Sequence, residues 1–198
     1  SDRRKLDEAV RETVERFNRA KHPIILVGIE SYRFKAANDI VALVEKTGAP
    51  CCASVLAKGA FPMNHPQYLG VYLGGISPPR IRKRVEHADL ILALGTLLTD
   101  IEIGGRPPSK ALRDRSIWAV DNRVNVSFHT YTNVTLKEFV GGLLKGSLKS
   151  RRERDIDVLL VQREARTRLA ERGRAAREPA AEWCGRDPLF VRGAIRLE

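Results

Sequence analysis

The stretch LILALG, residues 90–95, decides the fold of this chain. Five apolar residues in an unbroken run, closed by a glycine, are typical of a strand that is buried on both faces of a parallel sheet. Residues 24–28 repeat the pattern as IILVG, and residues 117–121 repeat it as IWAVD, with an acid in place of the glycine. Three such runs predict a sheet whose central strands are covered by helices on both sides.

Helical patterns separate these runs. Residues 4–19 carry apolar side chains at helical spacing between charged ones, and residues 34–47 and 136–144 show a similar periodicity. Further strands are predicted at residues 51–55 and 124–128. Because strands alternate with helical segments and hairpin signals are lacking, the sequence predicts an α/β fold. We expect a three-layer open parallel sheet of about five or six strands with helices on both faces.

Composition narrows the class of protein. The chain has 198 residues, and 35 Lys and Arg against 24 Asp and Glu give a net charge of +11. No recognised binding motif accompanies this charge, so we expect no nucleic-acid partner. We also expect no membrane association and no signal peptide, because no apolar run approaches roughly 20 residues and the first residues are charged. Three cysteines without CxxC spacing favour a reduced, cytoplasmic protein.

Candidate ligand-binding residues stand where the apolar runs end. Ligands of open parallel sheets bind beyond the carboxyl ends of the strands, where Gly28, Gly95 and Asp121 are predicted to lie. Glycine lets the backbone approach a pyrophosphate, and an acid can accept a hydrogen bond from a ribose hydroxyl. No GxGxxG fingerprint follows any strand. Tight turns at the two glycines, and a helix or turn cap at Asp121, are therefore the alternative interpretations.

Other reactive side chains are predicted to be structural. Cys51 and Cys52 lie on a predicted buried strand, where a thiol packs as a small hydrophobe and its ionisation is disfavoured. The four histidines have no metal-ligand spacing, and Lys58 is expected to be a solvated loop residue. The residues alone thus predict a nucleotide-binding-like α/β domain with no catalytic and no metal-binding residue.

Three longer stretches carry a family resemblance. HPIILVGIESYRF, residues 22–34, resembles the opening strand of the central domain of thiamine-diphosphate-dependent enzymes. LVEKTGAPCCASVLAKGAFPMNHPQYLGVYLGGIS, residues 43–77, resembles the next segment, with its Lys-Gly and its His-Pro before Gly-Val-Tyr. VEHADLILALGTLLTD, residues 85–100, resembles a further strand and turn of that domain. The resemblance covers about residues 4–146 and is nearest to the pyruvate, indolepyruvate and phenylpyruvate (2-oxo-acid) decarboxylases.

This resemblance implies a Rossmann-like fold of the DHS-like NAD/FAD-binding type. It implies that residues 1–146 are the central domain and that residues 147–198 are a connector toward a C-terminal cofactor-binding domain. The parent enzyme is expected to be a carboxy-lyase that uses thiamine diphosphate and Mg²⁺ through its flanking N- and C-terminal domains. We expect it to be a homo-oligomer, and this part of it to bind no cofactor and to act as a scaffold.

Two other functions are weighed against the scaffold. A stand-alone module could bind FAD or ADP across Gly28, Gly95 and Asp121, although the glycine-rich fingerprint is missing. A sirtuin-like enzyme on a related fold would need a catalytic histidine in a recognisable motif and a zinc-binding cysteine set, and the sequence contains neither. The sequence therefore favours a non-catalytic central domain.

Overall fold

The computed structural model describes residues 2–97 and 114–151. Most of the predicted connector, from residue 152 onward, lies outside these residues. Within them, no helix is both long enough and apolar enough to cross a membrane.

A single seven-stranded sheet forms the centre of the described chain. Its strands are β1 (Pro23–Val27), β2 (Cys51–Ser54), β3 (Tyr68–Tyr72), β4 (Leu90–Leu94), β5 (Ser116–Val120), β6 (Arg123–Val126) and β7 (His129–Thr132). They are arranged in the order β3-β2-β1-β4-β5-β6-β7. The pairs from β3 to β5 are parallel, whereas β5–β6 and β6–β7 are antiparallel.

Helices cover both faces of this sheet. They are α1 (Arg3–Arg19), α2 (Glu30–Arg33), α3 (Ala37–Thr47), α4 (Pro79–Glu86) and α5 (Leu136–Lys145), with 3₁₀ turns at Val55–Ala57 and Gly74–Ile76. Phe17, Leu43 and Phe139, from α1, α3 and α5, belong to the larger core cluster on one face. Ile81 and Val85 of α4 belong to the smaller cluster on the other face. This layering confirms the α/β three-layer fold.

Both long helices at the ends of the described fold begin at a side-chain cap. The Asp2 carboxylate accepts a hydrogen bond from the Lys5 amide at the start of α1. The Thr135 hydroxyl accepts one from the Glu138 amide at the start of α5. Such caps satisfy amide groups that have no partner within the helix. The apolar faces of α1 and α5 pack into the same core cluster, on one side of the sheet.

The sheet differs in detail from the expected one, because it has seven strands and the β5–β6 and β6–β7 pairings are antiparallel. The β5–β6 hairpin turns at residues 121–122, where Asp121 adopts a φ of 56°. Aspartate tolerates this left-handed conformation better than most residues, so a hairpin forms without the usual Asn-Gly signal. The edge strand β3 carries Gly70 at φ 131° beside a shift in register, which hides its strand pattern in the sequence.

Candidate functional site at the carboxyl ends of the strands

The structure brings the three predicted site residues to one edge of the sheet. Gly28 follows β1, Gly95 follows β4 and Asp121 follows β5, and these three strands are parallel neighbours. The Gly28 amide donates a hydrogen bond to the Leu94 carbonyl at 2.9 Å. The Gly95 amide donates one to the Ala119 carbonyl at 2.7 Å. The backbone ladder therefore continues past the formal strand ends and holds these junctions in register.

Gly28 and Gly95 are packed against each other. A Cβ atom at Gly28 would lie 1.9 Å from the Gly95 carbonyl oxygen, so no larger residue fits there without a backbone shift. Gly95 has a φ of 70°, and a Cβ on it would lie 2.8 Å from the Ser31 amide nitrogen and 3.0 Å from Leu136 Cδ2. The space that these glycines create is filled by the protein's own atoms rather than left open toward a pyrophosphate.

A buried glutamate, which the sequence analysis did not single out, completes this edge. Glu30 is 6% exposed. Its amide donates to the Gly95 carbonyl at 3.1 Å, and its carboxylate Oε2 accepts from the Asp121 amide at 2.8 Å. Glu30 thus joins the ends of β1, β4 and β5. No sequence pattern marked Glu30, because a charged residue three positions after a strand is normally assigned to the surface.

Ser31 reinforces the same junction. Its side chain is fully buried, and its Oγ donates a hydrogen bond to the Gly28 carbonyl at 2.6 Å. Buried polar groups are stabilising only when such partners are present. The β1–α2 turn is therefore an interlocked unit in which backbone and side-chain groups satisfy one another.

The Asp121 side chain is the member of the predicted set that faces outward. Residue 121 is exposed and lies in the β5–β6 hairpin turn rather than at a helix N-terminus. It borders a cavity of about 480 Å³ on one face of β5 and β6. The described lining of this cavity is Thr96, Leu97, Ser116, Trp118, Val120, Asp121, Arg123, Asn125 and Ser127. The indole of Trp118, the guanidinium of Arg123 and the carboxylate of Asp121 can bind a small molecule there. The described lining does not include Gly28 or Gly95, so this cavity is compatible with their packing role.

The adjacent cysteines have the properties of core residues. Cys51 and Cys52 are both free and fully buried. Burial raises the pKa of the Cys52 thiol to about 12, and it raises the pKa of Cys51 well above its usual value. Because the thiolate is the nucleophilic form, neither residue is suited to nucleophilic chemistry.

The Lys-Gly and His-Pro segment is held by local contacts. The His65 ring packs edge-on against Phe61, with ring centroids 5.2 Å apart, and its Nδ1 accepts a hydrogen bond from the Gln67 amide at 3.2 Å. Nε2 lies 3.8 Å from a carboxylate oxygen of Glu45 on α3. His65 therefore fixes the long β2–β3 connection to α3, whereas Lys58 is exposed on it.

A second polar cluster joins α1 to the edge strand β7. Glu12 Oε2 accepts a hydrogen bond from the Tyr131 hydroxyl at 2.9 Å and lies 2.9 Å from His129 Nδ1. Burial first, and then the hydrogen bond to Glu12, raise the pKa of Tyr131 to about 12. Within residues 2–97 and 114–151, no three His, Cys, Asp or Glu side chains are grouped closely enough to hold a metal ion.

The fold and this edge define the class: a three-layer α/β domain whose glycine strand junctions are packed by the chain's own atoms. The chain belongs to the family described as "Thiamine pyrophosphate enzyme, central domain", whose profile matches residues 10–144. The family to which the parent enzymes belong depends on thiamine diphosphate. The resemblance of the three stretches to this central domain is therefore confirmed.

Fungal pyruvate decarboxylases are among the relatives. The chain is 33% identical to the pyruvate decarboxylase of Candida albicans over 140 residues, which are 70% of this chain and 23% of that enzyme. It is 30% identical to the enzyme of Aspergillus terreus over 166 residues, 82% of this chain and 27% of the relative. Isozyme 2 of Saccharomyces cerevisiae is 40% identical over 97 residues. The chain spans about a quarter of the length of the first two enzymes.

The described strand junctions offer no open cradle for the diphosphate of thiamine diphosphate. The glycine junctions, which could cradle a phosphate, are filled by Ser31, Glu30 and Leu136 atoms. No catalytic step is therefore assigned to this edge.

Proposed function

We propose that this chain is the non-catalytic central scaffold domain of a thiamine-diphosphate-dependent 2-oxo-acid decarboxylase. The observation that carries the proposal is the family match over residues 10–144, together with relatives named pyruvate decarboxylase of which the chain covers about a quarter. In this role the domain spaces an N-terminal and a C-terminal catalytic domain and contributes subunit or effector contacts. The parent is proposed to be a cytoplasmic homo-oligomer.

The internal packing of the carboxyl edge supports a spacing role. Glu30 ties three strand ends together through two hydrogen bonds, and Gly28 and Gly95 interlock without space between them. Buried and satisfied polar contacts of this kind restrict local motion. A domain that holds two catalytic units at a fixed distance needs such rigidity at its loops.

The chemistry of the parent is proposed to reside in the flanking domains. Loss of carbon dioxide from a 2-oxo acid needs an electron sink, which thiamine diphosphate supplies. We propose that Mg²⁺ and the cofactor are held there, and that residues 2–97 and 114–151 contact neither. Under this proposal, the central domain affects the rate of decarboxylation only through the relative placement of the two flanking domains.

Calorimetry on the isolated chain tests the non-catalytic part of the proposal. Thiamine diphosphate titrated with Mg²⁺ into the chain is expected to give no saturable heat, and pyruvate is expected to release no carbon dioxide. Tight cofactor binding by the chain alone would contradict the proposal. The Candida albicans enzyme in the same buffer serves as the positive control.

A chimera tests the scaffold role directly. Residues 10–144 of this chain replace the matched segment of the Candida albicans pyruvate decarboxylase, and decarboxylation of pyruvate is measured. We expect the chimera to assemble and to keep measurable activity. A chimera that assembles and binds the cofactor with normal affinity, yet is inactive, would count against a spacing role for this sequence.

The alternative of a stand-alone module that binds FAD or ADP finds no support among the relatives, whose names describe decarboxylases. A nucleotide site across Gly28, Gly95 and Asp121 is nevertheless testable. Under the scaffold proposal, ADP and FAD are expected to leave the melting temperature of the chain unchanged. A saturable ADP-dependent increase that Asp121→Ala abolishes would favour the alternative.

A further inference from the structure

The C-terminal ends of three helices meet at the sheet edge opposite the candidate site. α1 and α3 end just before β1 and β2 begin, so both ends lie at the amino-terminal edge of the parallel strands. α5 runs parallel to α1, because Val10 contacts Gly142 and Val14 contacts Gly146, one turn further along both helices. Helix C-termini carry partial negative charge and carbonyl groups without intrahelical partners. Three such ends together require hydrogen-bond donors.

Lys46 supplies the donors for the end of α5. Its Nζ, from the last turn of α3, donates to the Leu144 carbonyl at 2.6 Å and to the Gly146 carbonyl at 2.7 Å. A lysine ammonium at a helix C-terminus interacts favourably with the helix dipole. This contact joins α3 to α5 at their ends.

Arg151 supplies the donors for the end of α1. Its Nη2 donates to the Phe17 carbonyl at 2.8 Å and to the Ala20 carbonyl, and its Nη1 donates to the Lys21 carbonyl at 3.3 Å. The guanidinium carbon lies 5.6 Å from the centroid of the Phe17 ring, within the range of a cation–π contact. The planar fork of arginine matches several carbonyls at once, which a lysine cannot do.

The backbone between α5 and Arg151 is held as well. The Arg151 amide donates to the Thr47 carbonyl at the end of α3, at 2.6 Å. Asn18 bridges two further points, because its Nδ2 donates to the Ser147 carbonyl at 2.9 Å and its Oδ1 accepts from the Lys149 amide at 2.8 Å. Residues 146–151 are thus attached to both α1 and α3.

We propose that residues 146–151 form an exit strap, a segment that Arg151 locks against the ends of α1 and α3. Arg151 is a positioning residue: it fixes the point from which the chain continues beyond residue 151. With the guanidinium seated, the three helices and the strap move as one body. With it removed, the strap is released while the sheet remains folded. The contacts lie within this chain, so the inference is independent of the proposed decarboxylase scaffold.

Amide hydrogen exchange on the full chain tests the strap, since exchange reports local opening separately from global unfolding. In the wild-type chain, the Lys149 and Arg151 amides are expected to be protected. Arg151→Ala is expected to reduce their protection by about tenfold or more, because charge-assisted hydrogen bonds are lost. The amides of β1 and β4 are expected to keep wild-type protection. Unchanged protection at Lys149 and Arg151 in this variant would overturn the proposal.

Two further variants separate the strap from a loss of charge or of folding. Lys149→Ala removes one exposed positive charge from the strap and keeps its backbone contacts, so protection is expected to change less than about twofold. If Arg151→Ala unfolds the chain, Asn18→Ala takes its place and is expected to release the Lys149 amide while β1 stays protected. A uniform loss of protection across the sheet in Asn18→Ala would show a purely global effect and overturn the proposal.

Discussion

Gly28 illustrates at the scale of a single residue how a missing side chain fixes a strand junction. The end of β1 passes so close to the end of β4 that the position of a Cβ on Gly28 is 1.9 Å from the Gly95 carbonyl oxygen. The two glycines were candidates for approach to a pyrophosphate, with tight turns as the alternative. The contacts give them a packing role, and ligand binding at Gly28, Gly95 and Asp121 stays a prediction.

Replacing Gly28 by alanine is expected to lower the free energy of unfolding by about 1–3 kcal/mol, the usual range for forcing extra atoms into a packed site. The obstructing atoms belong to the backbone of residues 95 and 96, so they cannot move aside as a side-chain tip could. Urea unfolding measures the change. Gly75→Ala is the matched control, because no atom lies within 4 Å of its Cβ position. Equal stabilities of the two variants would contradict the packing role.

A second prediction at the scale of a single residue concerns the Glu30 carboxylate. Glu30→Ala removes the carboxylate that accepts from the Asp121 amide, and hydrogen bonds to charged groups contribute about 1.5–3 kcal/mol. We expect a loss of unfolding free energy in that range, measured by urea denaturation. Glu30→Gln keeps an acceptor oxygen and is expected to lose less.

Glu15→Ala serves as the control for Glu30. Glu15 lies on α1, and its carboxylate is 3.7 Å from Arg19, with both side chains largely exposed. Exposed ion pairs contribute little, so this variant is expected to unfold near the wild-type midpoint. If Glu30→Ala behaves like Glu15→Ala, the carboxylate does not tie the strand ends together.

Among the elements, the pair α1 and α5 shows how closely two parallel helices approach. Gly142 and Gly146 face Val10 and Val14, and the Cβ positions of the two glycines are 2.6 Å and 2.9 Å from valine methyl groups. The absence of side chains on α5 lets the valines of α1 insert. Gly141, one residue earlier, faces no atom within 4 Å.

Adjacent glycines on α5 are therefore expected to respond differently to replacement by alanine. Gly141→Ala is expected to stabilise the chain by about 0.5–1 kcal/mol, since alanine is the better helix former and meets no obstacle. Gly142→Ala is expected to be neutral or destabilising, because the new methyl group collides with Val10. Thermal unfolding of the two variants measures the difference. Stabilisation of both by the same amount would show that the helices do not pack this tightly.

At the scale of the whole molecule, five of the described residues have raised pKa values that lower the stability of the chain at high pH. Burial raises the pKa values of Cys52, Tyr68 and Tyr131 to about 12, and it raises those of Cys51 and Tyr72 above their usual values. In the unfolded chain, thiols lose their protons near pH 8.5 and tyrosines near pH 10. The unfolded state then releases protons first, so stability is full below about pH 8.5 and falls as pH rises toward 12.

Urea midpoints measured between pH 8 and pH 11 are expected to fall, and the absorbance of tyrosinate is expected to rise late in the folded chain. Tyr131→Phe removes one of the groups with a raised pKa, so the urea midpoint is expected to fall less steeply above pH 10. Tyr32→Phe is the control, because Tyr32 is 71% exposed and its replacement is expected to leave the decline of the midpoint unchanged. Urea midpoints that stay constant up to pH 11 would contradict the raised pKa values of these thiols and phenols.

The arrangement of the whole sheet shows which of its strands can be predicted from the sequence. The apolar runs at β1, β4 and β5 predicted the central parallel strands, because a strand buried on both faces must be apolar throughout. The sequence also predicts a strand at residues 124–128, where β6 lies. It does not predict the edge strands β3 and β7. Their positions depend on the irregular register beside Gly70 and on a left-handed turn at Ser127, which local sequence patterns do not distinguish from loops.

The family, the α/β fold class and the strand ends that form the candidate site were determined by the sequence itself. They follow from short local patterns and from stretches that resemble the central domain of thiamine-diphosphate enzymes. Only the tertiary structure decided that Glu30 joins the strand ends at that site and that Arg151 caps α1, because Asp121 is 91 residues from Glu30 and Ala20 is 131 residues from Arg151. Contacts between residues so far apart depend on where the chain returns, and no local pattern of hydrophobicity or charge specifies them.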